Sequence, residues 1–419
     1  MRAGSMLWLW LWLWLLASGA FAADKPETLE VLVFADPQVK SATDVDYYRR
    51  DIVAPLVGRH RAQLGISLGD IVDDASQLYP QVRRVDAALG VPWLYVPGNH
   101  DVDVDATDDA TSLRSFHAAF GKDSHGRREK LASFVALDDV IALPGGKPAY
   151  IGGFREDQFA FLESFLRSTP KDRLLVIGVH IPLFEQAGRD TFRDADRERL
   201  FALLRDFPHV LVLSAHTHNQ QHFFHGAAQG WHGAQPLHEY NVGAACGAFW
   251  SGVKDADGIP DSTMSDGTPN GYARLVVKPR GEYALSWHPA RDLDAAMALH
   301  APRVLRQGAY PAWGVYANVF MGDDDTRVEY RIDGGAWQAM KKVVQPDPSL
   351  LAENAKDDLA DALRGYDRSP EATPSQHLWR GALPTDLALG EHEVEVRASG
   401  RWLGERIAGT VYRLQQASP

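Results

Sequence analysis

Five times between residues 30 and 218 a short apolar run stops on an aspartate, an asparagine or a histidine, and this recurrence constrains the chain more than any other feature. Glu30 to Ala35 (EVLVFA) runs into Asp36-Pro37-Gln38, Leu64 to Leu68 into Gly69-Asp70, and Pro92 to Val96 into Gly98-Asn99-His100-Asp101. Leu174 to Val179 ends at His180, and Val210 to Ser214 at Ala215-His216-Thr217-His218. Short apolar runs bounded by turn residues read as buried strands, and stretches of helical spacing (44–57, 77–89, 113–120, 156–166, 192–205) supply the crossovers. An eleventh segment, Phe134 to Leu143, reads as one further strand. Alternating strands and helices predict an α/β layer architecture, whose ligands gather beyond the C-terminal ends of the strands.

Asp36, Gln38, Asp70, Asn99, His100, His180, His216 and His218 supply carboxylate, amide and imidazole donors, a set suited to two hard-to-borderline divalent ions. An aspartate shared between them, best assigned to Asp70, would hold the ions about 3.5–4 Å apart. A water bridging the pair would ionise near neutral pH and attack phosphorus in line, so no protein nucleophile is required.

This ordered set resembles the calcineurin-like metallophosphoesterases over residues 30 to 220, whose pattern is D-x-H, GD-x-x, GNH-D/E, a lone H and GH-x-H. The resemblance implies a four-layer α-β-β-α sandwich. It implies that Asp36 and His218 bind one metal, that Asp70 bridges, and that Asn99, His180 and His216 bind the second. His100 would then stabilise the transition state or protonate the leaving oxygen, with Asp101 as its orienting partner and Asp73 and Asp74 farther out. Gln38 stands where most members carry histidine and Ala215 where they carry glycine. A neutral, harder Gln38 should weaken zinc at the first site and favour manganese or iron. The implied substrate is a small phosphorylated compound, with monoester, diester and phosphoanhydride cleavage all served by the same metal clamp. GAACGAFW, GIPDSTMSDGTPNGY and the β-rich end resemble a bacterial subgroup of the family with its own C-terminal domain.

The rest of the chain frames that centre. Arg2, the apolar run from Met6 to Ala17 and Ala20-Phe21-Ala22 form a secretory signal pattern over residues 1–22, with an uncleaved anchor as the alternative. A secreted, periplasmic protein without a membrane span after cleavage is therefore expected. The net charge of −12 disfavours a nucleic-acid surface. Cys246 is the single cysteine, so no internal disulfide can form, and its small-residue run marks it as buried packing. The Gly-, Asp- and Pro-rich stretch from Glu239 to Val277 is expected to rim the substrate site. Beyond residue 300 alternating runs with Asp-Gly-Gly and Ser-Gly turns predict an antiparallel β-sandwich, interrupted at 346–374 by a charged insert with a helix around 350–363. The expected division is thus 27–290 for the catalytic part and 300–419 for the β-domain.

Two rivals remain on sequence alone. Gly65-Ile66-Ser67-Leu68-Gly69 fits a serine-hydrolase elbow, but its serine falls inside an apolar run rather than on the turn after it. The substitution to Gln38 keeps open a catalytically weakened, metal-binding envelope protein.

Overall fold

The computed structural model describes residues 27–143, 149–184, 191–310 and 312–417, and the signal pattern at 1–22 lies outside them. Leu29–Phe34, Leu64–Ser67 and Trp93–Tyr95 pair in parallel. Gly271–Val277 and Tyr283–Pro289 extend this sheet antiparallel, giving five strands. A second, six-stranded sheet carries Ala132–Ala136, Leu174–Gly178, Val210–Ser214 and Leu237–Asn241 in parallel, with antiparallel His125–Arg128 and Gln221–His225 at its edges. Both sheets feed one apolar core, as parallel strands buried on both faces require. A Cβ added at Gly178 would lie 3.3 Å from Leu68, which shows how closely the layers approach.

Helices complete the outer layers. Ala42–Tyr47 continues into a π-helical turn, Tyr48–Val53, and Tyr79–Ala87 packs beside it. Both are tied to the first sheet through Asp86, which accepts from Tyr48 Oη (2.6 Å) and Tyr95 Oη (2.9 Å). Glu156–Arg167 and Asp194–Leu204 flank the second sheet and are bridged by Arg199 to Glu156 and Glu163. This is the four-layer arrangement. No helix among the described residues is long and apolar enough to cross a membrane.

The expected strand over 134–143 is two strands in different sheets. Ala132–Ala136 belongs to the second sheet, and Val140–Leu143 pairs with Ala149–Gly152 in a separate two-stranded sheet. The chain turns away at Asp138-Asp139, whose buried carboxylates serve Arg155 and the His180 turn.

The C-terminal part holds two further sheets around a separate core that includes Val315, Trp379, Val394 and Tyr412. One orders Met297–His300, Gly314–Val319, Pro374–Ala382 and Lys341–Pro346. The other orders Val304–Arg306, Gly404–Gln415, Gly390–Gly400, Arg327–Ile332 and Gln338–Ala339. The sandwich is not purely antiparallel, because Val304–Arg306 runs parallel to Gly404–Gln415. The insert helix is Pro348–Asp358, capped by Asp347, whose carboxylate accepts from the Ser349 and Leu350 amides.

Candidate metal centre

Asp36, Gln38, Asp70, His216 and His218 all adopt left-handed backbone, with φ of 47°, 41°, 46°, 70° and 51°. Side chains other than glycine rarely take this region, and such strain concentrates at functional sites. Each residue sits just beyond a strand, where a sharp left-handed turn swings its side chain across the strand ends. Ala215 is not among these residues, so its methyl group brings no left-handed strain where a glycine was expected.

The histidines are wired so that their remaining nitrogens converge. His180 donates from Nδ1 to the Leu68 carbonyl (2.8 Å), leaving Nε2 at 3.1 Å from Asn99 Oδ1, 3.4 Å from Asp70 Oδ1 and 3.2 Å from His216 Nδ1. His218 donates from Nδ1 to the Gly247 carbonyl (2.7 Å), leaving Nε2 at 3.6 Å from Asp36 Oδ1. A ring nitrogen fixed by a carbonyl is the usual outer support of a metal-binding imidazole. Ligand atoms of Asp70, His180 and His216 all fall within 4.8 Å of one another. The two halves are also joined through the backbone: the Asp36 amide donates to Gly69 O, the Gln38 amide to Asp70 O, and the His216 amide to both Asp36 oxygens at 3.3 Å. Asn99, Asp70 and His216 thus converge on His180 Nε2 and His218 on Asp36, while Gln38 is joined to Asp70 through its backbone amide. Two facing imidazole nitrogens among buried carboxylates fit divalent cations.

The electrostatics fit as well. Burial pushes Asp36 up to about 8. Burial opposes charge on His180, but Asp70, Asp36 and Asp139 outweigh it and lift the ring to about 10. Burial lowers His216 to about 3 and His218 to about 4, which leaves both neutral and able to ligate. A buried carboxylate cluster that raises one imidazole this far has an unmet demand for positive charge.

His100 stands half-buried at the rim. Its Nδ1 lies 3.1 Å from Asp74 and 3.2 Å from Asp73, while its amide donates to Asp70 Oδ1 at 2.8 Å. Burial works against its charge, but Asp70, Asp74 and Asp73 together raise it above the ordinary histidine value. The expected partnership of His100 with Asp101 is not found. Asp101 is 1% exposed. Its carboxylate accepts from the amides of Gly98 (2.8 Å), Ile71 (3.1 Å) and Val72 (3.4 Å) and from Tyr79 Oη (3.0 Å). The tight 3-10 turn Asn99–Asp101 sends neighbouring side chains in opposite directions, so Asp101 braces the loop under Asp70 while Asp73 and Asp74 take the ring.

Sequence reasoning missed three supports. Asp139 accepts from the His180 and Ile181 amides (2.9 and 3.0 Å); a doubled aspartate inside an apolar run was its signal. Cys246, buried as expected, lies 3.9 Å from Gln38 Oε1 and 3.8 Å from His218 Nδ1. The stretch after Leu237–Asn241 is more than a rim. Its Ala245 and Cys246 amides donate to Ala35 O and Asp36 O, and Trp250 Nε1 donates to Pro37 O at 2.9 Å. Ser67 ends its strand buried, with no nucleophile-elbow geometry. Two roomier clefts, about 680 and 930 Å³, lie elsewhere, beside His238 and Arg401 and beside Val304 and Tyr412.

Residues 29–220 match the family model described as calcineurin-like phosphoesterase, and residues 239–405 the one described as C terminal of calcineurin-like phosphoesterase. The chain belongs to the calcineurin-like phosphoesterases. It is 29% identical over 181 residues to the glycerophosphodiester phosphodiesterase GpdQ of Enterobacter lignolyticus (strain SCF1), a match covering 42% of this chain and 63% of that protein. Among solved structures it is similar to the purple acid phosphatase PPD1 from yellow lupin (Lupinus luteus) seeds, with a TM-score of 0.45 and 12% identity over 64% of this chain and 52% of that one.

Proposed function

We propose that this chain is a secreted, dinuclear metal-dependent hydrolase of phosphodiesters. The observation that carries the reading is the meeting of Asp36, Gln38, Asp70, Asn99, His180, His216 and His218 from five separate strand ends, five of them on left-handed backbone and His180 and His218 fixed by carbonyls. In this reading Asp36, Gln38 and His218 hold one divalent ion, Asn99, His180 and His216 the other, and Asp70 is shared. Manganese or iron suits the Gln38 carbonyl better than zinc. Bound there, the ions would supply water activated for attack near neutral pH and would offset the charge of the phosphoryl group. The protein's own part is to orient that group and to manage the proton. His100, kept charged by Asp70, Asp73 and Asp74, faces outward from the same turn and gives its proton to the leaving oxygen. The activity named for the GpdQ relative favours a diester over a monoester. The catalytic part is assigned to residues 27–290 and the β-domain to 300–419, with residues 1–22 directing export.

Metal analysis and turnover test this together. The purified chain should carry two transition ions, hydrolyse glycerophosphoethanolamine with manganese, and lose activity to a chelator while ignoring serine-directed reagents. His100→Ala should keep its metal and lose roughly 10²–10⁴-fold in rate, whereas Asp70→Ala should lose metal. Equal metal loss in both variants refutes the role given to His100, and one ion or none supports the binding-protein reading instead.

A further inference from the structure

A groove of about 440 Å³ opens directly beside His216 and His218, and its far wall comes from the C-terminal insert. Residues Tyr366 to Pro370 form that wall, opposite Lys40, Phe249 and Ser251. The insert is held from two sides. Within it, Arg364 pairs with Asp357 (2.7 Å) and Glu353 (3.0 Å), the Ser369 amide donates to Asp357 (3.0 Å), and Asn354 Nδ2 donates to Pro370 O (2.8 Å). Towards the catalytic layers, the Gly252 amide donates to Asp367 O and the Thr373 amide to Ser265 O, at 3.2 and 2.9 Å. A surface excursion with no task at the site would not need both sets of ties.

What the groove presents is specific. Tyr366 is 61% and Phe249 48% exposed, although burying a large aromatic ring is worth roughly 2 kcal/mol or more. Phe249 and Trp250 both adopt left-handed backbone (φ 56° and 54°), an outlier conformation for bulky residues, and the Phe249 ring sits 4.7 Å from that of His218. The Lys40 ammonium lies 4.7 Å above the Tyr366 ring, and among the described residues it makes no ion pair, whereas Arg368 at the same wall is paired with Asp358. Exposed ring faces stack flat heterocycles, and cations take phosphate oxygens. A glycerol unit has no flat face, and a quaternary ammonium headgroup would meet Lys40.

We propose that this groove is the leaving-group subsite and that it takes a nucleotide, with the base stacked on Tyr366 and its phosphate met by Lys40. The inference rests on the hydrolase reading above. In the reaction water adds across one P–O bond: its oxygen joins phosphorus, the bond to the nucleotide's oxygen breaks, and that oxygen leaves with a proton. The nucleotide is attached either through a sugar oxygen, as in a dinucleotide, or through its phosphate, as in a dinucleoside diphosphate.

Binding of adenosine 5′-monophosphate and of inorganic phosphate is measured by calorimetry on the full chain, with and without manganese. The nucleotide should bind at least tenfold more tightly than phosphate. Tyr366→Ala should erase most of that ratio, and Tyr366→Phe should keep it. In turnover, the ratio of kcat/KM for adenylyl-bearing compounds to that for glycerophosphoethanolamine should fall tenfold or more in Tyr366→Ala, with a dinucleotide and diadenosine diphosphate telling the two attachments apart. Nucleotide binding no tighter than phosphate, or an equal loss on every compound, overturns the proposal. No turnover of any compound counts against the hydrolase reading, while the binding ratio still decides the groove.

Discussion

Replacing Asp101 separates a brace from a catalytic partner. Its Oδ2 accepts the Gly98 and Ile71 amides, and its Oδ1 accepts Tyr79 Oη and, at 3.4 Å, the Val72 amide. Asp101→Ala strands these donors in a site only 1% exposed. Each buried donor left without a partner costs about 1–3 kcal/mol, so the two short amide bonds alone account for roughly 2–6 kcal/mol. Part of this is returned, because a buried carboxylate is removed as well. A net loss of about 3 kcal/mol is expected, which for a part of this size lowers Tm by roughly 6–12 °C. Ile71 follows Asp70 and Gly98 precedes Asn99, so the same change should weaken manganese binding tenfold or more. Asp101→Asn can keep both amide bonds through its carbonyl, while its NH₂ faces the Val72 amide, and should lose less than half as much. The assay is calorimetric unfolding of the metal-free chain, followed by manganese titration. If Asp101 served His100 instead, turnover would fall with Tm unmoved. A Tm drop under about 2 °C with activity lost as in His100→Ala would refute the bracing argument.

Three further outcomes follow from the same geometry. Burial depresses the His100 pKa and the facing carboxylates raise it, so Asp73→Asn with Asp74→Asn should move the alkaline limb of the kcat/KM profile to lower pH; an unmoved limb removes His100 as the proton donor. A Cβ at Gly98 would sit 2.2 Å from Asp70 N and Oδ1, so Gly98→Ala should cost about 1–3 kcal/mol and abolish manganese binding, and a variant that still binds two ions contradicts this. Burial raises Asp86 to about 6 against Tyr48 and Tyr95, above the unfolded value of about 3.9. The native state therefore holds the extra proton between these values, and stability falls as pH rises through that window by up to about 3 kcal/mol. Asp86→Asn should lack this component, so its Tm relative to the parent should climb between pH 4 and 7; a flat difference is the contrary result.

The candidate ligands were legible because each is announced locally, by an apolar strand and the residue just past it. What escaped was how the supporting residues of distant turns meet. His100 and Asp101 are adjacent in sequence, which invited pairing them, yet one 3-10 turn points them at Asp73 and Asp74 and at Ile71 and Gly98. Asp139 was hidden because VALDDVIAL has the composition of one strand, and only the pairing partners divide it. In the β-rich part alternation located Arg327–Ile332. It carried no sign that Val304–Arg306 pairs in parallel or that Tyr366 returns to within 4.7 Å of Lys40.

The left-handed candidate ligands show why the local signal is not sufficient by itself. An αL residue other than glycine costs about 1–2 kcal/mol, and five of the seven donors adopt that backbone. Nothing in the turn sequences offsets this. The opposing terms come from elsewhere: Ala245 and Cys246 amides on Ala35 and Asp36, the Trp250 indole on Pro37, Asp139 on the His180 turn, and Asp101 on the Asp70 loop. The stretch that looked like a loose rim therefore supplies much of the force that keeps Asp36, Gln38 and His218 in their strained positions. The centre is written in short motifs, but its shape depends on residues outside the proposed ligand set.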